Sequence, residues 1–304
     1  MNRTPGGELP EAKWWHRRDK VGIQCDLCPH RCVLAPNKTG LCGVRQSSAQ
    51  GDALLSLNFG LAASMNLDPV EKKPLYHWHP GTRIFSVGTV GCNLRCPFCQ
   101  NWPLVEMYED IPDIEWLEIE SYLIEHRDFI DGFVITGGEP FVSDFLFDII
   151  EKIKSIGIAV KIDTNGTFPD KLKYLIENEL IRGVSMDVKD ALEAEFYSRI
   201  CGITITLELM EKIIESTKIL MNSKIDYEFR TTLVRKFHTI DNLKKIGVQL
   251  KGARKYVLQQ YRSIGVKDGF DGGDPFSREE MLKFQDVLSE FFQKCDIRYY
   301  GTDT

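Results

Sequence analysis

From residue 82 onward the chain alternates short β-branched runs with amphipathic stretches, and that alternation constrains the fold more than any other feature. A strand, a helical stretch and a second strand make a βαβ unit, which requires a parallel sheet. The candidate strands are Thr82–Thr89, Gly132–Thr136, Ile158–Thr164, Gly183–Val188, Ile225–Leu233, Lys255–Gln259 and Ile297–Tyr300. Between them, Ile114, Leu117, Ser121 and Ile124 make one helical stripe, and Leu172, Leu175 and Ile176 make another. Ser277-Arg278-Glu279-Glu280 reads as a capping box opening a helix striped by Met281, Phe284, Leu288 and Phe291. Six parallel strands with a candidate seventh predict an α/β fold, a partial (β/α)6 TIM-like barrel over residues 81–304. Residues 1–80 then form a small Cys-rich extension and a connector. Loops at the C-terminal ends of barrel strands carry the chemistry, so motifs just after a strand have the most weight.

The first of these strands runs into Cys92-Asn93-Leu94-Arg95-Cys96-Pro97-Phe98-Cys99, a C-x3-C-x2-C spacing. Three thiolates are one short of the four that close an ordinary cubane iron–sulfur cluster. The unfilled position leaves one iron open to a substrate or cofactor. A zinc knot or plain buried cysteines are the alternatives on spacing alone.

Three more motifs follow strands. Gly137-Gly138-Glu139-Pro140 combines glycines that let backbone approach closely with a carboxylate. Asp163-Thr164-Asn165-Gly166 and Asp187-Val188-Lys189 place acidic groups after the next two strands, where ordinary turn chemistry is the plainer explanation. Within the fifth strand Arg230 stands near its end, and a guanidinium can fork onto a carboxylate. The sixth ends at Gln259-Gln260-Tyr261.

Ahead of the barrel, Cys25, Cys28, Cys32 and Cys42 form a C-x2-C-x3-C-x9-C group. Four thiolates in so short a span suit a closed metal site, either structural zinc or a second iron–sulfur cluster. Spacing does not separate the two. Full closure in a compact appendage favours zinc. His30 reads as a surface histidine rather than a ligand. Leu54–Leu57 is a candidate short strand, and Trp14-Trp15 an apolar anchor. His77 and His79 alternate, so they share one side of an extended segment, with packing as the simpler role. Cys201 reads as a packed thiol, with a hydrogen-atom relay as the alternative, and Gly269–Gly273 as a candidate lid loop.

A net charge of −6 excludes a general nucleic-acid binder, which needs a basic surface. Neither an apolar run of membrane-spanning length nor the hydrophobic core of a signal peptide is present, so a cytoplasmic protein without a membrane partner is expected. In that compartment nine cysteines are metal ligands before they are disulfides.

Taken together, Cys92, Cys96, Cys99 and Gly137-Gly138-Glu139-Pro140 resemble the radical S-adenosylmethionine (radical SAM) superfamily. The resemblance implies a [4Fe–4S] cluster on the three cysteines. Its open iron would chelate the methionyl group of S-adenosylmethionine, with Gly137, Gly138 and Glu139 at the methionyl ammonium. Asp163-Thr164-Asn165-Gly166 and Asp187-Val188-Lys189 are similar to the activases of glycyl-radical enzymes, typified by the pyruvate formate-lyase activating enzyme. That likeness implies a monovalent cation held by Asp163 and Asp187, with Asn165 in the same motif. It implies Lys189 in the active site and Arg230 at the cofactor carboxylate. Activases often carry a histidine on the sixth strand against the adenine; here Gln260 or Tyr261 takes its place. The N-terminal cysteine block, Leu75–Gly81 and Cys92–Trp102 together resemble the radical SAM component of the AmmeMemoRadiSam group. The implied partners are an electron donor of flavodoxin or ferredoxin type and a protein substrate, with a small-molecule substrate as the alternative.

Overall fold

The computed structural model describes residues 9–18, 22–69, 83–106 and 116–301. His77 and His79 lie outside them. In chain order the extension contributes β1 (Trp15–Arg18), β2 (Gly22–Cys25), β3 (Val33–Leu34), β4 (Arg45–Ser47), β5 (Leu54–Ser56) and β6 (Ser64–Pro69). Then come β7 (Arg83–Thr89), α1 (Trp102–Glu106), α2 (Trp116–Glu125), β8 (Gly132–Gly137), α3 (Leu146–Ile156), β9 (Ala159–Thr164) and α4 (Pro169–Glu177). The remainder is β10 (Gly183–Asp187), α5 (Ala194–Cys201), α6 (Leu207–Asn222), β11 (Asp226–Leu233), α7 (Ile240–Gln249), β12 (Tyr256–Gln260), α8 (Arg278–Leu288) and β13 (Cys295–Arg298). All seven expected strands form. The last is shifted, ending at Arg298 rather than Tyr300.

The chain divides into two compact units: Met1–Asn93 with Pro103–Asp163 and Leu175–Gly183, and Leu94–Trp102 with Thr164–Tyr174 and Val184–Thr304. The extension is hydrogen-bonded into the segment that follows β6. Asn58 Nδ2 donates to the Val90 carbonyl (3.0 Å), and the Ala63 amide to that of Gly88 (2.8 Å).

In the first unit β6 runs antiparallel to β7, from Ser64 opposite Gly88 to Pro69 opposite Arg83. Strands β7, β8 and β9 are parallel neighbours, with Ile84 opposite Gly132 and Gly132 opposite Ala159. Ile84, Phe133 and Ile135 are fully buried, as near-continuous apolar strands of a covered parallel sheet should be. Helix α2 corrects one expectation. Leu117 and Ile124 are exposed (62% and 58%), whereas Ile119 and Leu123 are buried. The helix carries apolar residues on two faces, and the i, i+4 pair Ile119 and Leu123 turns inward.

In the second unit β10, β11, β12 and β13 follow in order, with β11, β12 and β13 parallel and Leu233 opposite Gln260. Helix α8 opens with the expected capping box: Ser277 Oγ accepts from the Glu280 amide, and the Glu280 carboxylate from the Ser277 amide. Thr206 and Thr239 cap α6 and α7 by accepting from the Leu209 and Asn242 amides.

Candidate active site

In the first unit the end of β8 is locked onto the loop that carries Cys92. The Gly138 amide donates to the Thr89 carbonyl (2.9 Å) and the Glu139 amide to that of Gly91 (2.8 Å). A Cβ at Gly138 would lie 2.0 Å from the Gly91 carbonyl oxygen, and one at Gly137 (φ +106°) 2.3 Å from the Thr89 amide nitrogen. Only glycine allows this approach. The Glu139 side chain is fully buried and accepts from the Phe141 amide at 3.3 Å.

Asp163, at the end of β9, pairs with Lys161 on the same strand face, Nζ to Oδ1 at 2.6 Å. Thr136 Oγ1 approaches its other oxygen at 3.4 Å. Lys161 is buried and was not singled out in the sequence. Its signal is the i, i+2 spacing to Asp163, which puts both side chains on one face of a strand.

In the second unit Asp187 accepts from Arg230 Nε at 2.8 Å, and Lys189 Nζ stands 3.0 Å from its other oxygen. Burial works to raise the Asp187 pKa, but the charges of Arg230 and Lys189 outweigh it and hold the carboxyl below its ordinary value. For Lys189, burial works downward and the Asp187 charge prevails, so the ammonium titrates above the usual lysine range. The ammonium is also close enough to Cys96 and Cys201 for negative charge on either sulfur to act on it. Asp163 is thus paired with an ammonium, and Asp187 with a guanidinium and an ammonium.

The Lys189 backbone is clamped at both ends. Its amide donates to Tyr197 Oη (3.0 Å), and its carbonyl accepts from His238 Nε2 (2.8 Å). His238 Nδ1 accepts from the Val234 amide (3.0 Å). Nδ1 also lies 3.2 Å from the Val234 carbonyl; its acceptance from the amide fits the neutral ring with its proton on Nε2. Tyr197 and His238 are both buried, and neither carries a recognisable sequence signal.

In the cysteine loop of this unit the Cys99 amide donates to the Cys96 carbonyl (3.1 Å), and the Arg95 amide to that of Cys201 (3.0 Å). Gly202 (φ +66°) ends α5; a Cβ there would lie 2.3 Å from the Arg95 carbonyl oxygen. Cys96 and Cys201 share a sulfur hydrogen bond, which together with burial raises the Cys96 thiol. Burial pushes Cys99 up to about 11. Thiols so shifted stay protonated until a metal displaces the proton. None of the nine cysteines is in a disulfide. An all-sulfur donor set, with Cys92 held on a glycine-tight loop, fits an iron–sulfur cluster.

Two expected cofactor contacts are engaged in local structure. Asn165 Oδ1 accepts from both the amide (3.1 Å) and the hydroxyl (2.7 Å) of Thr167. Gln260 donates to the Phe276 carbonyl (3.0 Å) and accepts from the Tyr300 amide (2.9 Å). Tyr261 sets its ring edge-on to Phe270. Residues Gly269–Gly273 are pinned through the Gly272 carbonyl to the Lys236 amide at 3.1 Å.

Residues 86–252 match the family model of the radical SAM superfamily, and the chain belongs to that superfamily. Members hold a [4Fe–4S] cluster and S-adenosylmethionine. Among curated relatives, an uncharacterised protein of Methanocaldococcus jannaschii is 29% identical over 239 residues, 77% of this chain and 68% of its own. A second protein of that organism, provisionally named a glycyl-radical enzyme activating enzyme, is 32% identical over 185 residues, 60% of this chain and 72% of its own. The 7-carboxy-7-deazaguanine synthase of Halobacterium salinarum is 36% identical over 91 residues, 29% of this chain and 33% of its own. Among solved structures, SuiB of Streptococcus suis superposes with a TM-score of 0.52 at 12% identity, over 67% of this chain and 46% of its own. That likeness concerns the fold, and it agrees with the α/β class expected from the strand pattern. No helix among the described residues is long and apolar enough to cross a membrane.

Proposed function

We propose that this enzyme is an activase: it uses S-adenosylmethionine to abstract a hydrogen atom from a protein partner, as glycyl-radical activases do. The group on Cys92, Cys96 and Cys99 would supply one electron to S-adenosylmethionine, yielding methionine and a 5′-deoxyadenosyl radical. The observation that carries the reading is the Asp187–Lys189–Arg230 set standing with Cys96 in one unit. Asp187 accepts from Arg230 Nε, and a guanidinium pairs well with a carboxylate such as that of the methionyl group. Tyr197 and His238 hold the Lys189 backbone, so the ammonium keeps one position beside the cysteines. Glu139, fully buried, is the acceptor for the methionyl ammonium. Electrons would come from a flavodoxin- or ferredoxin-type donor. The similarity to the Methanocaldococcus jannaschii protein with an activase name supports a protein substrate.

A second reading, a radical enzyme acting on a small molecule, is favoured by the shorter similarity to 7-carboxy-7-deazaguanine synthase. Anaerobic turnover with fractionated, deuterium-labelled extract separates them. Deuterium reaching 5′-deoxyadenosine from a protein fraction that then shows a glycyl radical by electron paramagnetic resonance (EPR) is the expected result. Deuterium arriving only from the metabolite fraction would overturn the activase reading.

A further inference from the structure

The cysteines outside the C-x3-C-x2-C motif lie in unlike surroundings. Cys25, Cys28, Cys32 and Cys42 line one small pocket with His30 and Arg45, which suits a four-thiolate zinc and a cluster equally. His30 is half-buried there rather than on the surface, with Nε2 2.9 Å from the Asn93 carbonyl. Cys201, far along the chain, is instead set against one of the superfamily's own cluster ligands.

We propose that Cys201 is a positioning residue for that cluster: its S–H donates to the Cys96 sulfur and raises the potential at which the cluster takes its electron. Helix α5 builds the contact. Tyr197, Ile200 and Cys201 lie one turn apart and form its buried face. Tyr197 holds the Lys189 amide, and Cys201 meets Cys96 sulfur to sulfur. The backbone is fixed on both sides of this meeting. The Arg95 amide donates to the Cys201 carbonyl at 3.0 Å. Gly202 (φ +66°) ends the helix so close to the cysteine loop that a Cβ there would lie 2.3 Å from the Arg95 carbonyl oxygen. Cys201 therefore cannot withdraw from Cys96 without unseating the loop.

The direction of the bond follows from proton counting. A cysteine gives up its proton when it binds a metal, so an iron-bound Cys96 can only accept. The hydrogen between the two sulfurs is then that of Cys201. Cys99 receives a backbone N–H, from Asn101 two residues on; at Cys96 the partner is a side chain, so it can be replaced. Hydrogen bonds to ligand sulfurs set the potential of a cluster, because they favour the state with more negative charge on sulfur. That is the reduced state. The Lys189 ammonium, near both sulfurs, acts in the same sense. No proton moves, since Cys201 keeps its S–H in both redox states.

A hydrogen-atom relay, the alternative raised by the sequence, needs an S–H that substrate can reach. Cys201 is 0% exposed, and its hydrogen is committed to Cys96.

The inference rests on the cluster that the superfamily holds, not on the choice of a protein substrate. The test is an EPR-monitored redox titration of the anaerobically reconstituted full chain, poised with dithionite and mediators, for the wild type, Cys201→Ala and Cys201→Ser. At the wild-type midpoint the ratio of reduced to oxidised cluster in Cys201→Ala should fall about fivefold, the worth of one hydrogen bond, with iron content unchanged. Cys201→Ser keeps a donor and should stay within about twofold of the wild type. An unmoved ratio in Cys201→Ala overturns the proposal, and so does an equal fall in both variants, which would mark packing rather than a hydrogen bond. Should Cys201→Ala not take up iron, Cys201→Val fills the space without a donor and is read in the same way. The readout needs no substrate: a chain showing these shifts without cleaving S-adenosylmethionine would overturn the function proposed above and leave this inference standing.

Discussion

Asp187 and Arg230 meet across adjacent strands β10 and β11, carboxylate to Nε at 2.8 Å, and Lys189 joins the same carboxylate two residues along its own chain. Replacing Asp187 by Asn removes the charge that orients both cations. Because Asp187 is a third exposed, the expected stability loss is modest, about 1 kcal/mol. The expected loss in S-adenosylmethionine cleavage is larger, about a hundredfold, since the misdirected groups are those proposed to hold the cofactor. Cofactor affinity measured alongside the cleavage rate checks this.

The same pair sets an acid limit. With its folded pKa below the ordinary carboxylate value, Asp187 binds fewer protons folded than unfolded. Its stabilisation is present above the unfolded pKa of about 4 and is lost as pH falls through the lower folded value. Thermal unfolding from pH 6 downward should show this loss, and Asp187→Asn should reduce it.

His238 gives a second pH dependence, in a different window. Burial lowers its pKa, and its two ring nitrogens are matched to a neutral ring. The unfolded chain therefore takes up a proton below about pH 6.5 that the folded chain refuses, so stability falls as pH drops through that value. His238→Leu leaves the Lys189 carbonyl and the Val234 amide without this partner, at a cost of about 1–3 kcal/mol. Denaturant titrations at pH 5.5 and 7.5 should show the wild type losing stability at the lower pH and the variant changing less.

A buried ion pair lies deeper in the second unit. Arg298 donates to Glu228 at 2.6 Å, Ser185 donates to the same oxygen at 2.8 Å, and Arg298 Nε and Nη1 have no protein partner. Glu228→Gln should cost about 3–5 kcal/mol, because it strands a buried charge. The double variant E228Q/R298M should recover part of that loss, measured as denaturation midpoints.

Gly138→Ala tests the seam between β8 and the Cys92 loop. The added Cβ meets a backbone oxygen that cannot swing away, so a loss of at least 1–3 kcal/mol is expected by denaturation, roughly the cost of overpacking. Cluster content of the reconstituted variant should fall with it.

The parallel strands were legible because fully buried β-branched runs admit few other structures. The site was legible where chemistry is written into short spacings: the three cysteines, Gly137–Glu139, and Asp187-x-Lys189. Lys161 was within reach, since two residues separate it from Asp163. His238 and Tyr197 were not, because their role is to bond the backbone of a residue far along the chain, and no local pattern encodes that. Helix α2 misled for a plain reason: it offers two apolar faces, and only packing against neighbours selects Ile119 and Leu123 over Leu117 and Ile124. For the four N-terminal cysteines spacing could not tell zinc from iron, because both take four thiolates at such intervals.

The most direct measurement is 5′-deoxyadenosine production by the anaerobically reconstituted chain with S-adenosylmethionine and dithionite, beside variants C92A, C96A and C99A. The account predicts 5′-deoxyadenosine and methionine in equal amounts from the wild type and none from any variant. Equal production by a variant lacking one of the three thiols would contradict it.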